Sequence, residues 1–261
     1  MTAAPAIELE GIGKSFDGGA SFAVDDVTLR VARGELVALV GASGSGKTTT
    51  LKIVNRLIEP DRGEVRIEGG SAKSVDAPTL RRRIGYVFQG VGLFPHMSVA
   101  ENIGITPQLL GWPQPDIASR TVEVLDLVGL PRSYLERLPD ALSGGERQRV
   151  GVARAIAARP GIVLMDEPFG ALDPVTRDTL GTAYRDLHAR LGLTTLMVTH
   201  DVQEAVLLAD RIAVMRAGRL IAFDTPRALM STTHPDAAAL MAMPRRQAER
   251  VRAVIEGDAH G

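Results

Sequence analysis

Leu36-Val37-Ala38-Leu39-Val40 is an unbroken apolar run, the pattern of a strand covered on both faces. A glycine-rich turn follows it. Leu51, Val54, Leu57 and Ile58 then fall on one face of a helix. Ile162-Val163-Leu164-Met165 predicts a second buried strand. Thr194–Thr199 predicts a third, followed by a helix from about Val202 to Leu208. Strands alternating with helices imply an α/β domain with a mostly parallel sheet. Ile7–Glu10, Val27–Val31 and Glu64–Glu68 alternate instead and are joined by glycine turns, so they predict a small antiparallel sheet beside the main one. Residues 90–159 read as mainly helical, with prolines interrupting regular structure between Thr106-Pro107 and Pro113-Gln114-Pro115. The main domain is expected to span residues 1–230, followed by a helical tail over 231–261. There Ala248, Val251, Val254 and Ile255 stand at the spacing of a short surface helix.

Composition narrows the classes. A hydrophobic share of 45% in 261 residues is enough for a sizeable core. The net charge of -1 gives no drive toward nucleic acid or anionic lipid. With no cysteine, disulfides, thiol nucleophiles and thiolate metal sites are excluded. Met1–Glu10 lack a basic start and a long apolar stretch, so no signal peptide is expected. The apolar runs are far shorter than the ~20 residues that cross a bilayer, so any membrane role runs through a partner.

Candidate chemistry begins at the end of the first buried strand. Gly41-Ala42-Ser43-Gly44-Ser45-Gly46-Lys47-Thr48 matches the phosphate-binding pattern G-x-x-x-x-G-K-[ST] and lies between a strand and a helix. Gly44 and Gly46 let backbone amides approach phosphate oxygens, and the helix N-terminus adds partial positive charge. Lys47 supplies a full charge near the β- and γ-phosphates, and the Thr48 hydroxyl suits Mg²⁺. Gly41, Ser43, Ser45 and Thr49 complete the predicted cradle. The plain alternative is a glycine-rich turn with a solvated lysine.

Asp166-Glu167 ends the second buried strand. Beside a phosphate loop, Asp166 would hold the metal and Glu167 would polarise an attacking water; adjacent strand residues point to opposite sides, which separates the roles. Before Pro168 the same pair also suits a turn or helix start. Leu142-Ser143-Gly144-Gly145-Glu146 likewise has two readings. Ser143 and Glu146 form a capping box. Ser143 and the Gly144 and Gly145 amides also make a second anion-binding helix start, which makes sense if a second subunit closes over the nucleotide.

With these motifs the sequence resembles the ABC ATPase family from about Ile7 to Met230. The motifs run in order: the phosphate loop, Gln89 in a Q-loop position, LSGGE at Leu142–Glu146, the strand ending Asp166-Glu167, Ala171-Leu172-Asp173 as a D-loop, and His200 as the switch histidine. The resemblance implies a P-loop NTPase cassette with an N-terminal antiparallel β subdomain and a helical signature subdomain. It implies ATP and Mg²⁺, and a head-to-tail dimer with two ATP molecules at its interface. Ser143, Gly144 and Gly145 of one subunit would meet the γ-phosphate held by Lys47 and Thr48 of the other. His200 would contact that phosphate, Gln89 would reach Mg²⁺ and report to a membrane partner, and Asp173 would cross the interface. Phe16 stands where the family places an adenine-stacking aromatic, without the usual hydroxyl.

Arg81–Gln89, Gly92–Ile103 and Lys52–Pro60 are similar to importer ATPases of the osmoprotectant branch, which takes up glycine betaine, choline and related quaternary amines. That likeness implies transmembrane permease subunits, a second ATPase subunit and, indirectly, an extracytoplasmic substrate-binding protein. It places the chain on the cytoplasmic face of the membrane. The region similar to the family ends near Met230, leaving too few residues for the C-terminal CBS pair that many members carry. The competing readings are an importer of another small polar solute, an exporter motor, a binding-only regulatory module, and a soluble mechanical ATPase on ribosomes or DNA. The single cassette and near-neutral charge count against the last, and intact Lys47, Asp166, Glu167 and His200 against a regulatory relic.

Overall fold

A computed structural model of the chain describes residues 4–257, with side chains through residue 254. Met1–Ala3 of the leader reading and the Ile255 side chain of the tail stripe lie outside the described residues. In chain order the elements are β1 (Ile7–Lys14), β2 (Val24–Val31), β3 (Leu36–Val40), α1 (Lys47–Val54), β4 (Arg62–Ile67), β5 (Gly70–Ser71), α2 (Ala77–Arg83), β6 (Ile84–Val87), α3 (Val99–Leu109), α4 (Gln114–Leu127), α5 (Gly144–Ile156), β7 (Ile162–Asp166), α6 (Pro174–Leu191), β8 (Thr194–Val198), α7 (Val202–Leu208), β9 (Arg211–Arg216), β10 (Arg219–Asp224), α8 (Pro226–Leu229), α9 (Pro235–Met241) and α10 (Met243–Gly257).

The alternating N-terminal segments form an antiparallel sheet in the order β2-β1-β4-β5, with Ile7 opposite both Val31 and Ile67. The continuous apolar runs form a six-stranded sheet in the order β10-β9-β3-β8-β7-β6, parallel except for β10. Each residue of β3, β7 and β8 is buried, as a sheet covered on both faces requires. Within β3 the faces still alternate. Val37 and Leu39 pack toward the small sheet, while Leu36, Ala38 and Val40 pack toward the helical side.

Between β6 and β7 lie α3, α4 and α5. Pro107 does not break the chain as expected. It sits inside α3, which runs on to Leu109, because a missing N–H near the end of a helix removes only one bond. Pro115 falls in the first turn of α4, where no donor is needed. Beyond residue 230, Ala237 and Met241 enter the same core as Leu229, whereas the side chains of residues 245–254 on α10 are exposed. Among the described residues no helix is long and apolar enough to cross a membrane.

This topology gathers the chemistry. β3, β8, β7 and β6 are parallel neighbours, so their carboxyl ends share one edge. That edge carries residues 41–48, Thr199-His200, Asp166-Glu167 and Phe88-Gln89, in the crevice where open α/β sheets bind ligands.

Candidate active site at the carboxyl edge of the sheet

The loop after β3 is clasped by the fold itself. Gly41 has φ +149°, and a Cβ there would overlap the Met215 carbonyl oxygen of β9. Gly46 has φ +98°, and a Cβ there would overlap the carbonyl oxygen of Ala23, just before β2. The Gly218 amide donates to the Ser45 carbonyl at 3.2 Å. Both glycines are therefore demanded by close backbone approach, before any ligand is considered. Lys47 Nζ folds back to donate to the carbonyls of Gly41 (2.9 Å) and Ala42 (3.0 Å). Burial lowers its pKa, while Glu167 and Asp166 oppose that shift. The first turn of α1 has no side-chain cap and no acidic residue, so its amides and its dipole remain available to an anion. Ser45 Oγ is buried without a hydrogen-bond partner. Ser43 is exposed and Thr49 half-buried.

Across the sheet, Thr48 Oγ1 donates to Asp166 Oδ1 at 3.0 Å. Burial raises the Asp166 pKa, partly offset by the Thr48 bond and by Lys52. Tyr86 on β6 faces the same carboxylate, and its hydroxyl is pushed upward first by burial and then by Asp166. The strand ends here, and Glu167 takes φ +46°, an uncommon left-handed conformation for a non-glycine residue. Its amide donates to the Val198 carbonyl at 2.9 Å. Glu167 therefore lies just beyond the end of β7, and the two carboxylates have different partners. Glu167 Oε2 accepts a bond from Gln89 Nε2 at 3.0 Å and lies 3.5 Å from His200 Nδ1.

Gln89 is held by a turn the sequence reading missed. Gly90, Val91 and Gly92 all have positive φ, and for β-branched Val91 at φ +69° this is a true outlier. Arg154 on α5 pins it, with Nη2 donating to the Val91 carbonyl at 2.9 Å and Nη1 to the Gly92 carbonyl at 2.7 Å. Burial lowers the Arg154 pKa. The signal was present: Val150, Ala153 and Arg154 stand at core-facing helical spacing, and arginine is rarely buried without partners.

The inward turn of Glu204 is a second feature that the sequence pattern does not reveal. Asp201 caps α7 by accepting from the Gln203 and Glu204 amides. Glu204, however, turns inward, where it is buried and accepts from Thr199 Oγ1 at 2.8 Å.

The remaining predicted residues stand apart. Phe16 is 65% exposed on the β1–β2 loop, with Lys14 Nζ 5.6 Å from its ring centroid. Ser143 caps α5 in a complete capping box with Glu146, whose Oε1 also accepts from the Tyr134 hydroxyl at 2.8 Å. Gly144 and Gly145 open that helix. Asp173 caps α6, and the bonds from Thr176 and Val175 hold its carboxyl below the usual range. Among the described residues, no hydrogen bond or ion pair joins residues 143–146 or Asp173 to the 41–49 loop.

The donor set fits Mg²⁺ shared with a phosphate. Thr48 and Asp166 offer two hard oxygens side by side, with Gln89 nearby through Glu167. Among the described residues, no cluster of three His, Asp or Glu makes a protein-only metal cage. Mg²⁺ in phosphate sites takes only one or two protein ligands and fills its shell with water and phosphate oxygens.

Residues 24–170 match the model of the ABC transporter family. The chain is 48% identical over 220 residues to the choline transport ATP-binding protein OpuBA of Bacillus subtilis, covering 84% of this chain and 58% of that protein. It is 47% identical over 229 residues to the osmoprotectant import ATP-binding protein OsmV of Salmonella typhimurium, covering 86% and 60% respectively. The chain therefore spans about three-fifths of the length of these relatives. Among solved structures, a dimeric ATP-binding cassette in a post-hydrolysis state bound to ADP and Pi matches with a TM-score of 0.75 and 32% identity, over 84% of this chain and 98% of the other. With its six-stranded sheet, its phosphate loop and these matches, the chain belongs to the ABC transporter family.

Proposed function

We propose that the chain binds and hydrolyses ATP as the motor of an importer for osmoprotectants such as glycine betaine or choline. The observation that carries the reading is the position of Glu167 Oε2, between Gln89 Nε2 and His200 Nδ1 on the edge that holds Lys47, Thr48 and Asp166. ATP would lie with its phosphates over residues 41–49 and its adenine toward Phe16. The loop amides and Lys47 bind the β- and γ-phosphates, which requires Lys47 to exchange its two loop carbonyls for phosphate oxygens. Thr48 and Asp166, with Gln89, would hold Mg²⁺, which neutralises charge developing on the phosphates when bound. Glu167 accepts a proton from the attacking water, and His200 donates toward the γ-phosphate oxygens.

Among the described residues, no hydrogen bond or ion pair joins the signature segment to the phosphate loop of its own chain. The dimeric cassette relative supports a second subunit whose Ser143, Gly144 and Gly145 complete the site, with Asp173 at the same interface. The choline and osmoprotectant relatives support a place for this chain on the cytoplasmic face of a membrane, held by transmembrane permease subunits that are fed by an external binding protein. The test is reconstitution of the chain with candidate permease subunits in vesicles. Betaine or choline uptake that requires ATP on the motor side is the expected result. ATP turnover with no stimulation by any quaternary amine would remove the substrate assignment and leave the ATPase.

A further inference from the structure

Glu204 is costly where it stands. It is only 8% exposed, and its Oε1 is buried with no hydrogen-bond partner. A leucine of similar size would avoid the penalty for an unpaired polar atom. Packing therefore gives no reason for a carboxyl at this position, and its partner is informative. Oε2 accepts the Thr199 hydroxyl proton at 2.8 Å. The same Thr199 Oγ1 accepts from the Asp201 amide at 3.0 Å, closing a turn whose middle residue is His200. With its proton committed to Glu204, the hydroxyl presents a lone pair to that amide. Thr199 is anchored at its other end by its own amide, which donates to the Leu39 carbonyl of β3 at 3.1 Å.

The network continues to α6. Asp201 Oδ2 accepts from Arg177 Nη1 at 3.0 Å, and Arg177 Nη2 donates to the Leu172 carbonyl at 3.2 Å, one residue before Asp173. Arg177, Asp201 and Glu204 border a cavity of about 280 Å³ between α6 and α7.

We propose that Glu204 is a positioning residue for hydrolysis: it orients the Thr199 hydroxyl that closes the turn around His200, and so sets His200 against Glu167. Through Asp201 and Arg177, the same network ties the histidine turn to the segment before Asp173. The inference rests on the ATPase reading above.

The experiment compares Glu204→Ala, Thr199→Val, the double variant and Glu204→Gln in the full chain. It measures kcat and KM for ATP with Mg²⁺, thermal melting, and the ring carbon–proton NMR signal of His200, identified with His200→Asn among the five histidines. Glu204→Ala and Thr199→Val should each lower kcat about tenfold with KM within about threefold, and both should shift the His200 signal. The double variant should lose no more than the worse single one, because both act through one hydrogen bond. Glu204→Gln keeps an acceptor oxygen and should retain kcat within about threefold. The proposal is overturned by an unshifted His200 signal with kcat within about twofold in Glu204→Ala, or by losses that multiply in the double variant. It is equally overturned if Glu204→Gln loses as much activity and melting temperature as Glu204→Ala, which would mean a packing role. A wild-type chain that does not hydrolyse ATP counts against the ATPase reading, and the His200 signal then decides this inference by itself.

Discussion

Gln89 Nε2 donates a 3.0 Å hydrogen bond to Glu167 Oε2, joining residues 78 positions apart across two neighbouring strand ends. In the proposed mechanism this oxygen accepts a proton from water, and Gln89 would turn away before water takes its place. Replacing Glu167 with Gln removes the proposed base and keeps the shape. We expect kcat to fall by at least about 100-fold with ATP affinity within about threefold, and an ATP-dependent dimer to accumulate. Normal turnover in steady-state assays would end the assignment of Glu167 as base.

Lys47 is held by two carbonyls of its own loop. Lys47→Ala leaves those carbonyls to water and removes the charge proposed to meet the phosphates. The dissociation constant for a fluorescent ATP analogue should rise at least about tenfold, with the melting temperature little changed. An unchanged affinity counts against the phosphate loop as the ATP site.

Gly46→Ala tests whether the loop is shaped by the fold or by its ligand. The new methyl would meet the Ala23 carbonyl at φ +98°. A loss of about 2–3 kcal/mol is expected in denaturant unfolding without nucleotide. Wild-type stability would show that the loop relaxes freely.

Arg154 links α5 to the strained turn beside Gln89. Arg154→Met leaves two carbonyls unpaired and should cost about 2–4 kcal/mol. Arg154→Lys should recover little of it, since a single ammonium does not span both carbonyls as the guanidinium fork does. Full rescue by lysine, read from unfolding curves, would show that charge alone matters.

Burial raises the Glu204 carboxyl from its ordinary 4.5 to about 7, with Asp201 and Glu167 adding to the shift while Thr199 and Arg177 oppose it. The folded chain therefore binds more protons than the unfolded chain between these values. Stability from this group is full at low pH and is lost as pH rises from about 4.5 to about 7. The loss amounts to roughly 3 kcal/mol. Glu204→Gln carries no such proton, so relative to wild type it should gain about 2–3 kcal/mol at pH 8 over pH 5. Parallel stability curves for the two proteins would refute the shift.

Much of this chain was legible before any fold was known. Leu36–Val40, Ile162–Met165 and Thr194–Thr199 announced buried strands because apolar side chains crowd both faces of a parallel sheet, and period alone carries that message. The loop at 41–48 was legible because a strand, a fixed glycine spacing and a lysine are local features. The failures were non-local. The sequence marks Pro107 as a break, though its place in the last turn of α3 makes it tolerable. For Gly46 the sequence offers a phosphate-loop glycine, and packing adds a second demand that no local pattern shows, the approach of the Ala23 carbonyl.

The sequence by itself determined which residues are able to carry phosphate and metal chemistry, and that they sit at strand ends. Only the tertiary structure decided which of them meet. Strand order puts β8 between β3 and β7, and this brings His200 and Gln89 to one oxygen of Glu167. It also decided that Arg154 and Glu204 are buried and point inward, because burial belongs to the packing of several elements at once and is written in no single segment.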